Sequence, residues 1–258
     1  VAVNRWIDLN ADLGEDPMAE ARDIALMQHV SSCNIACGGH AGDSGSMARM
    51  LRAAHGAGVA AGAHPSYPDR ANFGRTSVAM PLAELIETLI AQVQALEAMA
   101  RRENVPLTHI KPHGALYNDL ADRPEMAAAV ADALHRAFPE LALVGLAHGA
   151  FEQAASAAGA RFVAEGFVDR GYTPARRLVP RSQPGALIEG DDARAAQAIA
   201  IAMGQPIAAS DGTHIRIAAQ SLCIHSDSPG AEQTALRIAK VMASKGISIQ
   251  APGEMPDE

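Results

Sequence analysis

Ser31-Ser-Cys-Asn-Ile-Ala-Cys-Gly-Gly-His-Ala-Gly-Asp43 gathers two cysteines, a histidine and an aspartate into one short stretch. As a loop or helix it would suggest a metal site; as a strand it means something else. A strand advances about 3.3 Å per residue, which sets Cys33 and Cys37 about 13 Å apart. Cysteines so placed share no ion and exceed the Cα separation of about 7 Å that a disulfide allows. Ile35 and the apolar run Asn34–Cys37 favour the strand, so the cysteines read as small buried packing residues. Gly38-Gly-His-Ala-Gly-Asp43 is then a polar, glycine-rich turn leaving a buried strand for a helix. This unit decides the fold because it recurs.

Short apolar runs that stop at glycine or a polar residue lie at Trp6–Leu9, Asn34–Cys37, Val59–Ala63, Thr108–Lys111, Leu141–Leu146, Arg161–Ala164 and Ser221–Ile224. They read as strands buried on both faces of a parallel sheet. Helical patterns fall between them, near 18–30, 45–57, 124–137, 150–158, 191–203 and 231–245. The clearest begins at Pro81, a favoured first helical residue, with Leu82, Leu85, Ile86, Leu89, Val93 and Leu96 on one apolar stripe. Such alternation fits an α/β barrel or a doubly wound sheet. At 258 residues with no break in composition, one domain over 1–258 is expected, with 250–258 a flexible tail. Gly171–Gly190 is a long Pro- and Arg-rich loop, of the kind that is functional or mobile. Pro206–Gln220 is open between a hairpin and a barrel strand.

The chain is 48% hydrophobic with 3% aromatic residues and carries a net charge of −8. That balance offers no footprint for nucleic acid or an anionic membrane. No apolar run reaches the roughly 18 residues of a membrane span, and a strand at once leaves no room for a signal peptide. Three cysteines make no disulfide framework. A soluble cytoplasmic protein is the expectation.

The polar residues gather where strands end. The first strand runs into Asn10-Ala-Asp-Leu-Gly-Glu15, the second into Gly38–Asp43, the third into His64, the fourth into Lys111-Pro-His113. After the sixth come Glu165, Asp169 and Arg170, and the last runs into His225-Ser-Asp227. In parallel α/β folds the active site is built at the carboxyl ends of strands, because those loops converge. His40, His64, His113 and His225 are therefore candidates. His29, His55, His135 and His148 lie in or beside helices, and His109 and His214 begin strands, so all six read as structural. The glycines before Asp43 and Ser44 also suggest a helix N-terminus open to phosphate or carboxylate. Neither GxxxxGK[ST] nor GxGxxG occurs, so no standard nucleotide loop is present.

Taken in order, DLNADLGE (8–15), NIACGGHAGD (34–43), GAHPSYPDRANFGR (62–75), KPHGALYN (111–118), DRGY (169–172), LVPRSQPGALI (178–188) and IHSD (224–227) resemble the LamB/YcsF family of 5-oxoprolinase A subunits. The resemblance covers about residues 6–249. It implies a distorted seven-stranded (β/α) barrel similar to glycoside hydrolase and deacetylase barrels. It also implies the reaction 5-oxo-L-proline + ATP + 2 H2O → L-glutamate + ADP + phosphate, performed with B and C partner subunits. The chain departs from the family pattern at Cys33, Gly39, Gly166, Val168 and Ser226, and Gly39 is expected to alter the pocket's shape.

By this resemblance Asp12 stands where related deacetylases place a metal-binding or catalytic aspartate, and His64 and His113 where they place histidine ligands. Two readings stand for these residues. In one, Asp12, His64 and His113 hold a divalent metal ion with an open position for water. In the other, Asp12 or Glu15 activates water without metal. His40 and Asp43 would polarise or position the substrate, and Lys111 would offer a positive charge or pair with an acidic neighbour. Asn10, Gly38, Arg170, Arg181, His225 and Asp227 are the expected substrate-binding set. Arg170, Arg176, Arg177 and Arg181 either cover an anionic intermediate or face solvent or another subunit. A stand-alone metal-dependent amidohydrolase or carbohydrate deacetylase is the alternative enzyme, and scarce aromatics count against sugars. A scaffold subunit without chemistry is the third reading. Activity without ATP separates the second; binding without turnover separates the third.

Overall fold

A computed structural model of the chain describes residues 6–226, 228 and 230–252. Seven parallel strands close into a barrel: β1 (Trp6–Leu13), β2 (Ser32–Ala36), β3 (Ala60–His64), β4 (Leu107–Ile110), β5 (Ala142–Leu146), β6 (Phe162–Phe167) and, after the two strands of a hairpin, β9 (Ser221–His225). β9 pairs with both β6 and β1, which shuts the ring and excludes the open doubly wound sheet. The hairpin is β7 (Ile207–Ala208) with β8 (His214–Ile215), antiparallel and separate from the barrel. It answers the open question at Pro206–Gln220. A short β10 (Ser248–Ile249) runs beside the start of β1.

Helices α1 (Glu20–Met27), α2 (Ser44–Ala57), α3 (Leu82–Glu103), α4 (Gly114–Asp122), α5 (Pro124–Ala137), α6 (Ala150–Ala157), α7 (Asp191–Ala202) and α8 (Ala231–Ser244) connect the strands. On α3 the buried stripe is Leu85, Leu89, Val93, Leu96 and Ala100, while Leu82 is largely exposed and Pro81 is the N-cap. No helix among the described residues is long and apolar enough to cross a membrane. The expected tail at 250–258 lies outside the described residues from 253 onward.

Alternation along the strands explains what the barrel contains. In β1, Leu9, Ala11 and Leu13 join the apolar core, while Asp8, Asn10 and Asp12 are buried among polar groups of other strands. Side chains at i and i+2 share a face, so β1 continues four residues past the apolar run that ends at Leu9. Asn10 donates to Glu165 Oε1 at 2.8 Å and Ser221 Oγ at 2.7 Å; Asn34 donates to Asn10 Oδ1 and Asp12 Oδ1, both at 2.8 Å. His109, expected at the far end of its strand, lies inside this network with Nε2 2.8 Å from Asn34 Oδ1. Gly62 makes room for it, since a Cβ there would meet the His109 ring at 2.2 Å. The barrel floor is thus polar and cross-linked, where most barrels are filled by branched apolar residues.

Candidate active site

At the carboxyl ends of the strands lies a cleft of about 450 Å³. Asp12, Glu15, His64, Lys111, His113, Phe167, Arg170, Arg181 and His225 line it, together with Arg75, Tyr117 and Arg177. Each arrives by a strand end. Asp12 is on β1 and Glu15 on the turn after it; His64 closes β3; Lys111 and His113 follow β4; His225 closes β9.

Asp12 is the hub. Its Oδ1 accepts from Lys111 Nζ at 2.9 Å and Asn34 Nδ2 at 2.8 Å, and its Oδ2 lies 3.4 Å from His64 Nε2. Burial opposes its charge, yet His64 and Lys111 outweigh burial and hold the carboxyl well below its usual range. Lys111 Nζ also meets Glu165 Oε1 at 2.9 Å, Asn10 Oδ1 at 3.2 Å and Cys223 Sγ at 3.2 Å. Four acceptors surround three N–H groups. Burial would lower its pKa, but the Asp12 carboxylate raises it well above the ordinary value. Lys111 therefore pairs with its acidic neighbours and positions Asp12.

Beside this pair stand Glu15, His40, His64 and His113, whose ligand atoms lie within 4.8 Å of one another. Backbone carbonyls set the rings. His64 Nδ1 lies 2.7 Å from Lys111 O and His113 Nε2 lies 3.0 Å from Phe73 O, so each nitrogen carries a proton to its carbonyl. The other nitrogens, His64 Nε2 and His113 Nδ1, then face each other at 3.0 Å. Glu15 Oε1 is 3.2 Å from His113 Nδ1 and 3.8 Å from His64 Nε2. Ligand atoms on a tetrahedral zinc are separated by about 3.3 Å, from bond lengths of about 2.0–2.1 Å, so this donor set fits a divalent cation. The same gap also takes a proton on His64 Nε2. Burial opposes that proton, but Asp12 raises the His64 pKa overall, while burial lowers that of His113. Asp12 falls outside the four-residue group and belongs to a second one with Cys223 and His225.

His40 sits behind this group. Its ring stacks on His113 at 3.6 Å, nearly parallel, and its Nε2 is 2.9 Å from Glu15 Oε1. Nδ1 is buried without a partner, and burial pushes the pKa down to about 4. The neutral ring carries its proton on Nε2 and holds Glu15 in place.

Other expected site residues stand elsewhere. Asp43 does not line the cleft; its side chain accepts from Ser46 N at 2.8 Å and caps α2, and Ser46 returns the bond. That cap also occupies the helix end expected to bind an anion. Gly38 is likewise outside the lining and forms a turn, with Gly38 N donating to Ala41 O and Gly38 O accepting from Arg70 Nη1. Asn10 belongs to the floor beneath Asp12. A Cβ on Gly39 would strike Gln92 Oε1 at 2.3 Å and Ser66 Oγ at 2.4 Å, so this glycine serves packing behind the site and does not shape the cleft. Arg170 lines the cleft while its Nε and Nη2 donate to Ala186 O and Val179 O. Arg177 donates to Asp122 Oδ1, Ala121 O and His148 O. Both arginines staple the 171–190 loop over the barrel mouth, and Arg181 joins the lining. Asp227 lies outside the described residues.

Asp169 was absent from the expected site set, although it stands beside Arg170 in the DRGY motif. Both its oxygens lie 3.0 Å from His225 Nδ1, and Ser228 Oγ donates to it at 2.8 Å. Burial opposes its charge, but His225 and Ser228 keep the carboxyl well below its ordinary range. Tyr117, inside KPHGALYN, donates to Glu165 Oε2 at 2.7 Å.

Residues 7–257 match the LamB/YcsF family. The chain belongs to that family. A LamB/YcsF relative from Carboxydothermus hydrogenoformans, the A subunit of 5-oxoprolinase, is 45% identical over 249 residues, which is 96% of this chain and 97% of the relative. The crystal structure of a lactam utilization protein from Thermus thermophilus superposes with a TM-score of 0.88 at 38% identity, over 95% of this chain and 99% of the other. The closed (β/α) barrel is thus shared with a solved lactam utilization protein.

Proposed function

We propose that this chain is the ring-opening subunit of an ATP-dependent 5-oxoprolinase, acting with B and C subunits on 5-oxo-L-proline. One observation carries the reading. Asp12 and the Glu15–His64–His113 group converge in one cleft at the barrel mouth, on a chain 45% identical to the A subunit of a 5-oxoprolinase.

The chemistry explains the need for ATP. An unstrained five-membered lactam is a stabilised amide with little driving force for hydrolysis. Phosphorylating its oxygen within the assembly makes the ring carbon electrophilic. Asp12, held as an anion between Lys111 and His64, accepts a proton from the attacking water. The loop stapled by Arg170 and Arg177 covers the mouth and limits bulk water. The donor set fits a divalent ion held by Glu15, His64 and His113, with His40 steadying Glu15; such an ion would supply Lewis-acid polarisation and a more acidic bound water. Cobalt(II) titrated into the protein should then give a visible d–d spectrum that His64→Ala and Glu15→Gln abolish. No spectrum with native-like folded protein would leave metal-free acid–base chemistry at Asp12.

The reading is tested by glutamate release from 5-oxoproline plus ATP, with the chain alone and with its B and C partners. Glutamate only in the complete mixture, lost in Asp12→Ala, is the expected result. No glutamate in the complete mixture, or amide hydrolysis without ATP, would overturn it.

A further inference from the structure

On the side of Asp12 away from Glu15 stands His225, whose Nδ1 is fixed by both oxygens of the buried Asp169 and whose ring face rests on Phe167 at 5.5 Å. We propose that His225, oriented by Asp169, is the catalytic acid that protonates the departing ring nitrogen, and that this step couples ATP cleavage to ring opening. The inference rests on the 5-oxoprolinase reading above.

The need for such a group follows from the adduct. Water adds to the ring carbon of the O-phosphorylated lactam, leaving one carbon bonded to the phosphate-ester oxygen, a hydroxyl oxygen and the ring nitrogen. If the carbon–oxygen bond to phosphate breaks, its electron pair leaves with phosphate and the lactam is restored. ATP is then hydrolysed without ring opening. If the carbon–nitrogen bond breaks, the electron pair goes to nitrogen, which must gain a proton because an unprotonated amine is a far poorer leaving group than phosphate. The product is an acyl phosphate of glutamate. A second water hydrolyses it to glutamate and phosphate, and the proton released returns to the imidazole. The two waters of the overall reaction are accounted for.

Other proton carriers lining the cleft are committed elsewhere. Lys111 gives its protons to the Asp12 and Glu165 cluster, and Tyr117 gives its hydroxyl proton to Glu165. His64 and His113 each direct one N–H to a backbone carbonyl and turn the other nitrogen towards the Glu15 group. At His225 the Asp169 carboxylate takes Nδ1–H, which leaves Nε2 as the pole that can exchange a proton, and the residue lines the cleft. One ring nitrogen lies within 4.8 Å of an Asp12 oxygen, so the base for water and the acid for nitrogen serve one bound ring. This is the orientation logic of a carboxylate–imidazole pair. Asp169 is a positioning residue.

The test uses the complete three-subunit mixture and follows phosphate and glutamate together. Wild-type protein should release one phosphate per glutamate. His225→Gln should lower glutamate formation about 10²–10⁴-fold, the share that a positioned general acid supplies. Phosphate release that depends on 5-oxoproline should persist, so the ratio of phosphate to glutamate rises well above one. Asp169→Asn should raise the same ratio with KM unchanged, and added imidazole should restore glutamate formation in His225→Ala. A purely structural role would lower both products together. Coupled turnover near the wild-type rate in His225→Gln would overturn the inference alone, as would equal loss of both products with no response to imidazole. No glutamate from the wild-type mixture would overturn the underlying reading and this inference with it.

Discussion

Two buried charges report on how the barrel interior is held. Asp8, below the site, accepts from Ser31 Oγ at 2.7 Å, from Ser32 Oγ at 2.9 Å and from Ser221 Oγ. Burial nevertheless dominates and pushes its pKa up to about 6 from 3.8. The folded state therefore binds this proton more tightly than the unfolded chain. The stabilising contribution is complete below the unfolded value and is lost as pH rises through about 6. Asp8→Asn removes the penalty of the buried charge. It should stabilise the protein by about 1–3 kcal/mol at pH 8 and give no gain near pH 4, read by urea unfolding at both pH values. Lys111 is the opposite case, because Asp12 and Glu165 both depend on it. Lys111→Met would leave two buried carboxylates without their cation and should cost about 3–5 kcal/mol. Equal urea midpoints for the variant and the parent would refute that account.

At the scale of elements, the 171–190 loop shows why arginine in a mobile-looking stretch is ambiguous. The segment from Arg170 to Gly190 carries four arginines, and from composition alone they suit either an anion cover or a solvated surface. The structure gives Arg170 and Arg177 a third use, because their guanidinium groups satisfy backbone carbonyls that an irregular segment leaves unpaired. Isolated bridges at Arg170–Leu187 and Tyr172–Leu178 complete the fastening. Arg177→Ala should leave global stability within about 1 kcal/mol, since the Asp122 pair is at the surface. Amide exchange over 172–179 should quicken selectively and KM for the lactam should rise. Unchanged exchange there would show that Arg177 does not hold the loop. Helix α4 was not expected, because it starts at Gly114, a poor helix former placed directly after the site histidine, and lacks a side-chain cap. The Asp43 assignment failed for a related reason: an acid after glycines looks the same in sequence whether it meets a substrate or caps a helix.

For the whole molecule, the barrel was legible because buried parallel strands leave a strong signature, apolar runs that stop at polar turns. The interior was not, since Asn34 and His109 reveal their contact only when β2, β3 and β4 are placed side by side. Nor could sequence orient His64 and His113, whose protons are directed by the carbonyls of Lys111 and Phe73. Closure itself was ambiguous, because a strand order of neighbours fits both a ring and an open sheet until β9 is seen between β6 and β1. That closure makes a test of the whole architecture possible. β10 lies beside the start of β1, and Gln250 N donates to Ile7 O at 3.1 Å, so the two ends of the described chain meet. The β7–β8 hairpin stands outside the ring, and Asp211 and Gly212 at its tip are exposed. A circular permutant opened between Asp211 and Gly212, with the old ends joined through the residues that flank the described span, breaks no barrel pairing. Exposed loop tips tolerate such cuts when adjacent backbone bonds survive. The permutant should unfold in one cooperative transition with a midpoint within a few degrees of the parent, followed by circular dichroism. Loss of cooperativity would mean that the connection from α7 to β9 is needed to bring β9 between its two neighbours, and that closure depends on chain order as well as on the fit of the strands.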